Sequence, residues 1–213
     1  MDFIDFIKYI PKIEKENLLS TIAHAKMAPL ERISSLKEFN YENKNPKKAA
    51  VLMLLYPKKG ITHIALIERN AYKGVHSAQI SFPGGKVEHN DIDLSQTALR
   101  ETFEEIGVAP KKVNLIKSFS EIYIPPSNFL VYPFLGISYE ELQFTPDKKE
   151  VKKVIELSLI TLLDDSNLKD IKINTSYATD VLVPAFVISE FVIWGATAMM
   201  LNELKEHIKK VVF

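Results

Sequence analysis

Three glutamates lie within five residues of one another in the segment 82–107, FPGGKVEHNDIDLSQTALRETFEEIG: Glu101, Glu104 and Glu105. Like charges at helical spacing repel by a few tenths of a kcal/mol per exposed pair, so the cluster needs compensation. A solvated acidic face, with Arg100 paired to the glutamate four residues on, is the simpler explanation. The chemical alternative is a bound divalent cation. Because oxygen ligands select hard ions, that cation would be Mg²⁺ or Mn²⁺.

The residues around the glutamates predict a helix over 94–106. Asp93 can serve as N-cap with Gln96 three positions on, and Gly107 suits a left-handed C-terminal cap. At 100° per residue the three glutamates gather on one side of this helix, close to its C-terminus, where the macrodipole disfavours negative charge. That placement favours the cation. The opposite side is the predicted core face and consists of Leu99, Phe103 and Ile106.

Two adjacent glycines precede this helix. Pro83, Gly84 and Gly85 lead out of the strand-like segment AQISF. Glycine permits unusual backbone angles and a close approach of the main chain to a ligand, although a tight turn alone would also explain the pair.

Together these features resemble the signature of the Nudix hydrolases: a glycine, a spaced acid and then Arg-Glu-x-x-Glu-Glu-x-Gly. The spaced acid is Asp91, six residues after Gly85, and its interval to the arginine is one residue longer than in the commonest form. The second part of the signature falls on Arg100, Glu101, Glu104, Glu105 and Gly107.

The resemblance implies a Nudix fold, an α/β/α sandwich with a mixed sheet, and metal-dependent hydrolysis of a nucleoside diphosphate linked to another group. Arg100 would orient the carboxylates. The general base would come either from the helix, as Glu101 or Glu105, or from Glu150 on a distant loop, which we prefer. The resemblance assigns the metal to Glu101, Glu104, Glu105 and the Gly84 carbonyl.

Four further segments resemble the coenzyme A pyrophosphatase branch of the family, over about Lys48 to Leu201. They are HSAQISFPGGK, PPSNFLVYPFLG, PDKKEV and IWGATAMML. That branch cleaves coenzyme A and its relatives to 3′,5′-ADP and 4′-phosphopantetheine. Its own recognition stretch is eroded here: Arg69 and His76 are kept, but the chain has Ile67 for Thr, Asn70 for Ser, Gly74 for Arg and Ala78 for Gly.

The residues predicted to contact substrate lie in two places: upstream of Pro83–Gly85, and in the segment PPSN at 125–128. Lys73 could replace the charge of the missing arginine, although a lysine lacks the arginine fork. For several of them a packed polar side chain or a turn is an equal explanation. The full set is Arg69, Lys73, His76, Gln79, Ser127 and Asn128.

Three functions therefore remain open. The leading hypothesis is cleavage of coenzyme A or acyl-coenzyme A. The second keeps the catalytic helix but gives it ADP-ribose, NADH or a dinucleoside polyphosphate. The third is a non-catalytic module that senses a nucleotide; the sequence disfavours it, because such modules commonly lose the glutamates that this chain retains.

The predicted secondary structure that positions the site is a mixed sheet flanked by helices. Hydrophobic patterns predict strands in AAVLMLLYP, THIALIER, VNLIKSFSEIYI, FLVYPFLGI, VKKVIEL and VLVPAFVI. Helical patterns occupy an opening segment interrupted at Pro29, residues 94–106 and the closing WGATAMMLNELKEHIKKV, where Trp194 and 199–201 are expected core. We predict a helical extension and linker over 1–45 and the hydrolase domain over 46–213.

The composition limits the class of protein, its partners and its cellular compartment. The 213 residues are 46% apolar, which suits a globular domain, and 27 basic residues balance 27 acidic ones, so no general nucleic-acid binding is expected. The chain has no cysteine, which excludes thiol catalysis and fits a reducing compartment. Neither a signal peptide nor an apolar run of the ~20 residues needed to cross a bilayer is evident. A cytoplasmic protein without membrane contact is expected, and a homodimer is left open.

Overall fold

The computed structural model describes residues 1–29, 32, 33, 44–70, 79–173 and 180–213. Its helices are α1 (Phe3–Ile7), α2 (Ile10–Lys15), α3 (Thr21–Ala25), α4 (Leu94–Ile106), α5 (Leu159–Leu163) and α6 (Gly195–Val212). Its strands are β1 (Lys47–Lys58), β2 (Ile61–Arg69), β3 (Ile80–Ser81), β4 (Gly84–Lys86), β5 (Asn114–Ser118), β6 (Ile122–Ile124), β7 (Phe129–Ile137), β8 (Val151–Ser158), β9 (Leu168–Ile173), β10 (Val181–Ile188) and β11 (Phe191–Trp194).

Strand β1 is the centre of the main sheet. It pairs antiparallel with β2 and β4 and parallel with β7, so the sheet is mixed. Its side chains alternate between the two faces, and both faces are buried: Met53 and Leu55 enter one core cluster, while Leu52 and Leu54 enter the other. Burial on both sides explains why this strand is an almost continuous apolar run.

Helices cover both faces of this sheet. The even-numbered face of β1 packs against α4, and the odd-numbered face packs against the N-terminal helices and α6. A three-stranded antiparallel sheet, in the order β11-β10-β9, lies beside the main one. This layering is the α/β/α sandwich with a mixed sheet that the sequence predicts.

The N-terminal helices are fastened to α6 by polar contacts as well as by the core. The His24 ring lies 3.0 Å from a Glu203 carboxylate oxygen, and Asn202 donates to the Ala23 carbonyl at 2.8 Å. Phe6 and Ile13 are fully buried in the same cluster as α6. The predicted extension therefore completes the core on one face of the sheet. The predicted boundary at residue 45 stays a prediction.

Most of the predicted strands are present, with two kinds of correction. The segment VNLIKSFSEIYI forms two strands, β5 and β6, and the sequence patterns did not predict β4, β9 or β11. Gly84 and Gly85, which were predicted to lead into a loop, instead begin β4 and pair with β1. The closing helix begins at Gly195, so the expectation that Trp194 belongs to it is wrong; Trp194 is the last residue of β11. Among the helices that the structure describes, none combines the length and apolar character that crossing a membrane requires.

Candidate active site

Helix α4 has the bounds and the caps that the sequence predicts. The Asp93 carboxylate accepts the Gln96 N–H at 2.8 Å, and the Gln96 side chain accepts the Ile92 N–H at 2.7 Å. Gly107 adopts the left-handed conformation, with φ of 76°, and donates its N–H to the Phe103 carbonyl. These local hydrogen bonds satisfy both helix ends.

The buried face of α4 differs from the prediction. Phe103 is 52% exposed, so its assignment to the core is wrong, whereas Glu105 is only 2% exposed. The helix lies on β1 and β4, and its side chains toward the sheet include Ala98 and Thr102, which are small enough for a close approach. The buried face of α4 is therefore turned from the predicted one, and Glu105, one of the three signature glutamates, lies in the interior.

The buried Glu105 carboxylate has two partners from outside its own helix. Its Oε2 accepts the Gly84 N–H at 2.8 Å, and its Oε1 accepts from Arg69 Nη1 at 2.9 Å. The pKa of Glu105 is raised to about 7, mainly by burial; the nearby charges of Glu101 and Glu150 act in the same direction, and its two donors oppose them.

The Glu101 carboxylate lies directly beside Gly85 of β4. Its side chain is 15% exposed, and an ideal Cβ atom built on Gly85 would lie 2.6 Å from Glu101 Oε1 and nearer still to Cδ and Oε2. Gly85 therefore leaves the space that this carboxylate occupies. Burial raises the pKa of Glu101, and the charges of Glu104 and Glu150 add to that effect while Arg100 opposes it.

Arg100 links the carboxylates to the spaced acid of the signature. Its Nε and Nη2 donate to the two oxygens of Asp91 at 2.8 and 3.0 Å, a forked pair. Its Nη1 donates to Glu101 at 2.9 Å and to Glu104 at 3.0 Å, so the predicted i, i+4 pair is present. The extra residue between Asp91 and the helix leaves this contact intact, and Arg100 is placed to orient both glutamates.

The donor set around Gly85 suits a hard divalent cation. It consists of clustered carboxylates whose charges raise the pKa values of their neighbours and the main chain of β4, where Gly85 leaves room beside them. In the part of the chain that is described, no group of three or more His, Cys, Asp or Glu residues is arranged as a metal site, and the carboxylates of Glu101 and Glu105 are paired with Arg100 and Arg69. Metal binding by Glu101, Glu104, Glu105 and Gly84 stays a prediction.

Glu150 is brought to this cluster by the loop before β8. Its carboxylate is 56% exposed and lies 4.0 Å from Arg69 Nη2. The loop is tied to the end of α4, because the Asp147 N–H donates to the Glu105 carbonyl at 2.9 Å. A carboxylate far away in sequence thus lies beside the signature glutamates. Its role as general base stays a prediction.

The other predicted substrate residues have different surroundings. Asn128 has a left-handed backbone, accepts from the Tyr123 hydroxyl at 2.9 Å and donates to the Lys44 carbonyl, contacts that fasten a turn. The Ser127 hydroxyl is buried without a hydrogen-bond partner. Gln79 lines a cleft of about 470 Å³ between β3, β8 and β11. Lys73, Gly74, His76 and Ala78 lie outside the described residues.

The sequence did not predict several contacts at the site, among them the pair formed by Arg69 and Glu105 and the fork from Arg100 to Asp91. Arg69 was singled out only as a cation for substrate. Arg69 and Glu105 are 36 positions apart, and no local spacing signal joins them. Only the pairing of β2 within the sheet brings them together.

Comparison with known proteins decides the family. A family model described as the NUDIX domain matches residues 46–175, more than half of the chain. The chain belongs to the Nudix family. The signature on α4 and the glycine loop both lie inside the matched region.

Several curated Nudix relatives match most of this chain. It is 35% identical over 163 residues to Nudix hydrolase 22, chloroplastic, of Arabidopsis thaliana, covering 73% of this chain and 53% of that protein. It is 31% identical over 157 residues to mitochondrial coenzyme A diphosphatase NUDT8 of Mus musculus, covering 73% and 75%. The chain spans about half the length of the plant and Schizosaccharomyces pombe relatives that it matches.

The fold is shared with solved Nudix structures. RenU, a Nudix hydrolase from M. smegmatis, superimposes with a TM-score of 0.53 at 14% identity, covering 79% of this chain and 89% of that one. At this identity the likeness bears on the fold alone. It agrees with the Nudix sandwich predicted from the sequence.

Proposed function

We propose that this Nudix protein hydrolyses the diphosphate linkage of a nucleotide derivative with the help of Mg²⁺ or Mn²⁺. The observation that carries the proposal is the placement of Glu101 and Glu105 against the Gly84–Gly85 loop, with the pKa values of both raised. Buried carboxylates that repel one another bind a divalent cation in place of protons.

The protein residues have separate parts in such a reaction. When bound, the metal would supply positive charge to the diphosphate oxygens and make water more acidic. Glu101, Glu104, Glu105 and the Gly84 carbonyl would hold it. Arg100, fixed by Asp91, keeps the first two of these side chains in place. Positioning and charge stabilisation account for most of the catalysis of phosphoryl transfer.

The proton of the attacking water goes to a carboxylate, for which we favour Glu150. It is exposed and stands beside the buried pair, within 4.0 Å of Arg69. The water oxygen forms a bond to one phosphorus, and the bridging P–O bond breaks. The departing phosphate takes the electron pair and the proton, giving two phosphate monoesters.

As the substrate we favour coenzyme A or an acyl-coenzyme A. The resemblance of four segments to the coenzyme A branch supports this choice, as do the mouse and human relatives named as mitochondrial coenzyme A diphosphatases, each 31% identical. Two of the departures from the branch pattern have clear structural roles. Ile67 is fully buried in the cluster beneath α4, and the Asn70 side chain donates to the Lys148 carbonyl at 2.7 Å.

The test is product analysis with purified protein and a panel of coenzyme A, acyl-coenzyme A, 3′-dephospho-coenzyme A, ADP-ribose and NADH, with Mg²⁺ or Mn²⁺. The proposal expects 3′,5′-ADP and 4′-phosphopantetheine from coenzyme A, and a preference over the dephospho form that Lys73→Ala reduces. If ADP-ribose is cleaved with the higher kcat/KM, the second hypothesis is correct. If neither these diphosphates nor a dinucleoside polyphosphate is cleaved, the result favours a binding module.

A further inference from the structure

Arg69 lies at the junction between the two sets of carboxylates at the site. It is the last residue of β2, and its guanidinium is mostly buried. One arm, Nη1, donates to Glu105 at 2.9 Å, and the other, Nη2, lies 4.0 Å from Glu150. The planar guanidinium fork therefore spans a signature glutamate and a glutamate from a distant loop.

Asn70, the residue after Arg69, binds the loop that carries Glu150. The Asn70 N–H donates to the Glu150 carbonyl at 2.9 Å, and its side-chain amide donates to the Lys148 carbonyl at 2.7 Å. Arg69 itself is paired with Val151 across a bulge in the β2–β8 ladder. The end of β2 thus fixes the backbone that carries Glu150, while the Arg69 side chain faces its carboxylate.

We infer that Arg69 is a positioning residue, which holds the Glu105 and Glu150 carboxylates in register, and is not a cation that binds a substrate phosphate. The inference deepens the proposed function and rests on it. Its physical basis is the burial of Glu105: turning the arginine toward a substrate would leave this carboxylate with the Gly84 N–H as its remaining partner in the described structure. Uncompensated buried charge is costly, so the guanidinium stays with Glu105 until the proposed metal compensates that carboxylate, and its other arm then still faces Glu150.

The kinetic test compares Arg69→Met with Arg69→Lys on coenzyme A and on 3′-dephospho-coenzyme A. A positioning role predicts that Arg69→Met lowers kcat by about 10²-fold, the effect of roughly 1 Å of misplacement, with KM within about threefold. Its preference between the two substrates should equal that of the wild type. Arg69→Lys should recover part of kcat, because it returns a charge without the fork.

Lys58→Met provides the matched control. It removes a cation that lies 2.8 Å from Glu156, at the hairpin end of β1 and roughly 20 Å along the strand from the glycine loop. The control should keep the wild-type kcat and the wild-type substrate preference.

Two kinetic results would overturn the inference: a rise in KM with loss of the coenzyme A preference, or wild-type kinetics in Arg69→Met. A thermal-unfolding cycle of Arg69→Met, Glu105→Gln and the double variant tests the contact without activity. Coupling should make the double variant lose less than the sum of the single losses in Tm. Additive losses contradict the inference even if the wild type cleaves no diphosphate, an outcome that would refute only the proposed function. If Arg69→Met does not fold, Arg69→Lys is judged by the same kinetic criteria.

Discussion

Replacing Gly85 with alanine should displace the carboxylate of Glu101, a proposed metal ligand, and leave the fold intact. The new Cβ would lie 2.6 Å from Glu101 Oε1 and closer to two other atoms of that carboxyl group, whereas ordinary van der Waals contact begins at 3.4 Å. The carboxylate must therefore withdraw by roughly 1 Å, a misplacement that can cost about 10²-fold in rate. The clash is with the tip of a flexible side chain, so the Tm should change little.

The assay for Gly85→Ala is kcat from chromatographic product formation, together with Tm from thermal unfolding. Two other glycine variants distinguish local displacement of the carboxylate from a general loss of stability. Gly84→Ala meets backbone, at 2.6 Å from the Val51 Cα and closer to the Ala50 carbonyl, and should destabilise the protein. Gly60→Ala has open space but a φ of 75°, so it should cost roughly 1–2 kcal/mol and leave kcat unchanged. Near-wild-type kcat in Gly85→Ala would refute the reasoning.

Three further predictions follow from the site. Glu104→Gln removes the charge of a proposed metal ligand at an exposed position and should greatly lower kcat at unchanged Tm; normal turnover at saturating metal would exclude Glu104 as a ligand. Glu150→Gln should lower kcat by roughly 10²- to 10⁴-fold with unchanged metal affinity in a binding titration, while an unchanged rate would return the base to α4. Hydrogen bonds from Arg100 hold the pKa of Asp91 well below 3.8, so its stabilising contribution is complete above that pH and is lost as pH falls further. Chemical unfolding should accordingly show Asp91→Asn less stable than wild type at pH 7, with a smaller difference at pH 3.

Helix α4 could be predicted to the residue because its signals are local. Asp93, Gln96 and Gly107 act within one helical turn of the ends, and the structure uses each of them as a cap. The signature glutamates are on the same helix, so their shared side also follows from helical geometry. The long strands were predictable for a similar reason, since β1 is a continuous apolar run and β10 is an apolar run rich in β-branched residues.

The contacts between elements could not be predicted in this way. Leu99, Phe103 and Ile106 are large apolar side chains of α4 and were predicted as its core face; Ile106 is fully buried and Leu99 packs against the core, but Phe103 is not part of it. The sheet instead packs against Ala98 and Thr102, and Phe103 remains exposed. The partner of Arg69 depends on how β2 and α4 pack together. Strand β11 has only four residues, too few for alternation to be distinctive.

Diphosphate cleavage by this protein is proposed to require a divalent metal bound by the carboxylates of α4. The most direct measurement is the initial rate on the fastest substrate of the panel, as Mg²⁺ is added to metal-stripped wild type and to metal-stripped Glu101→Gln. We expect a wild-type rate that rises from zero to saturation and a variant rate that stays near zero at every concentration. Turnover without metal, or the same saturation curve in Glu101→Gln, would contradict it.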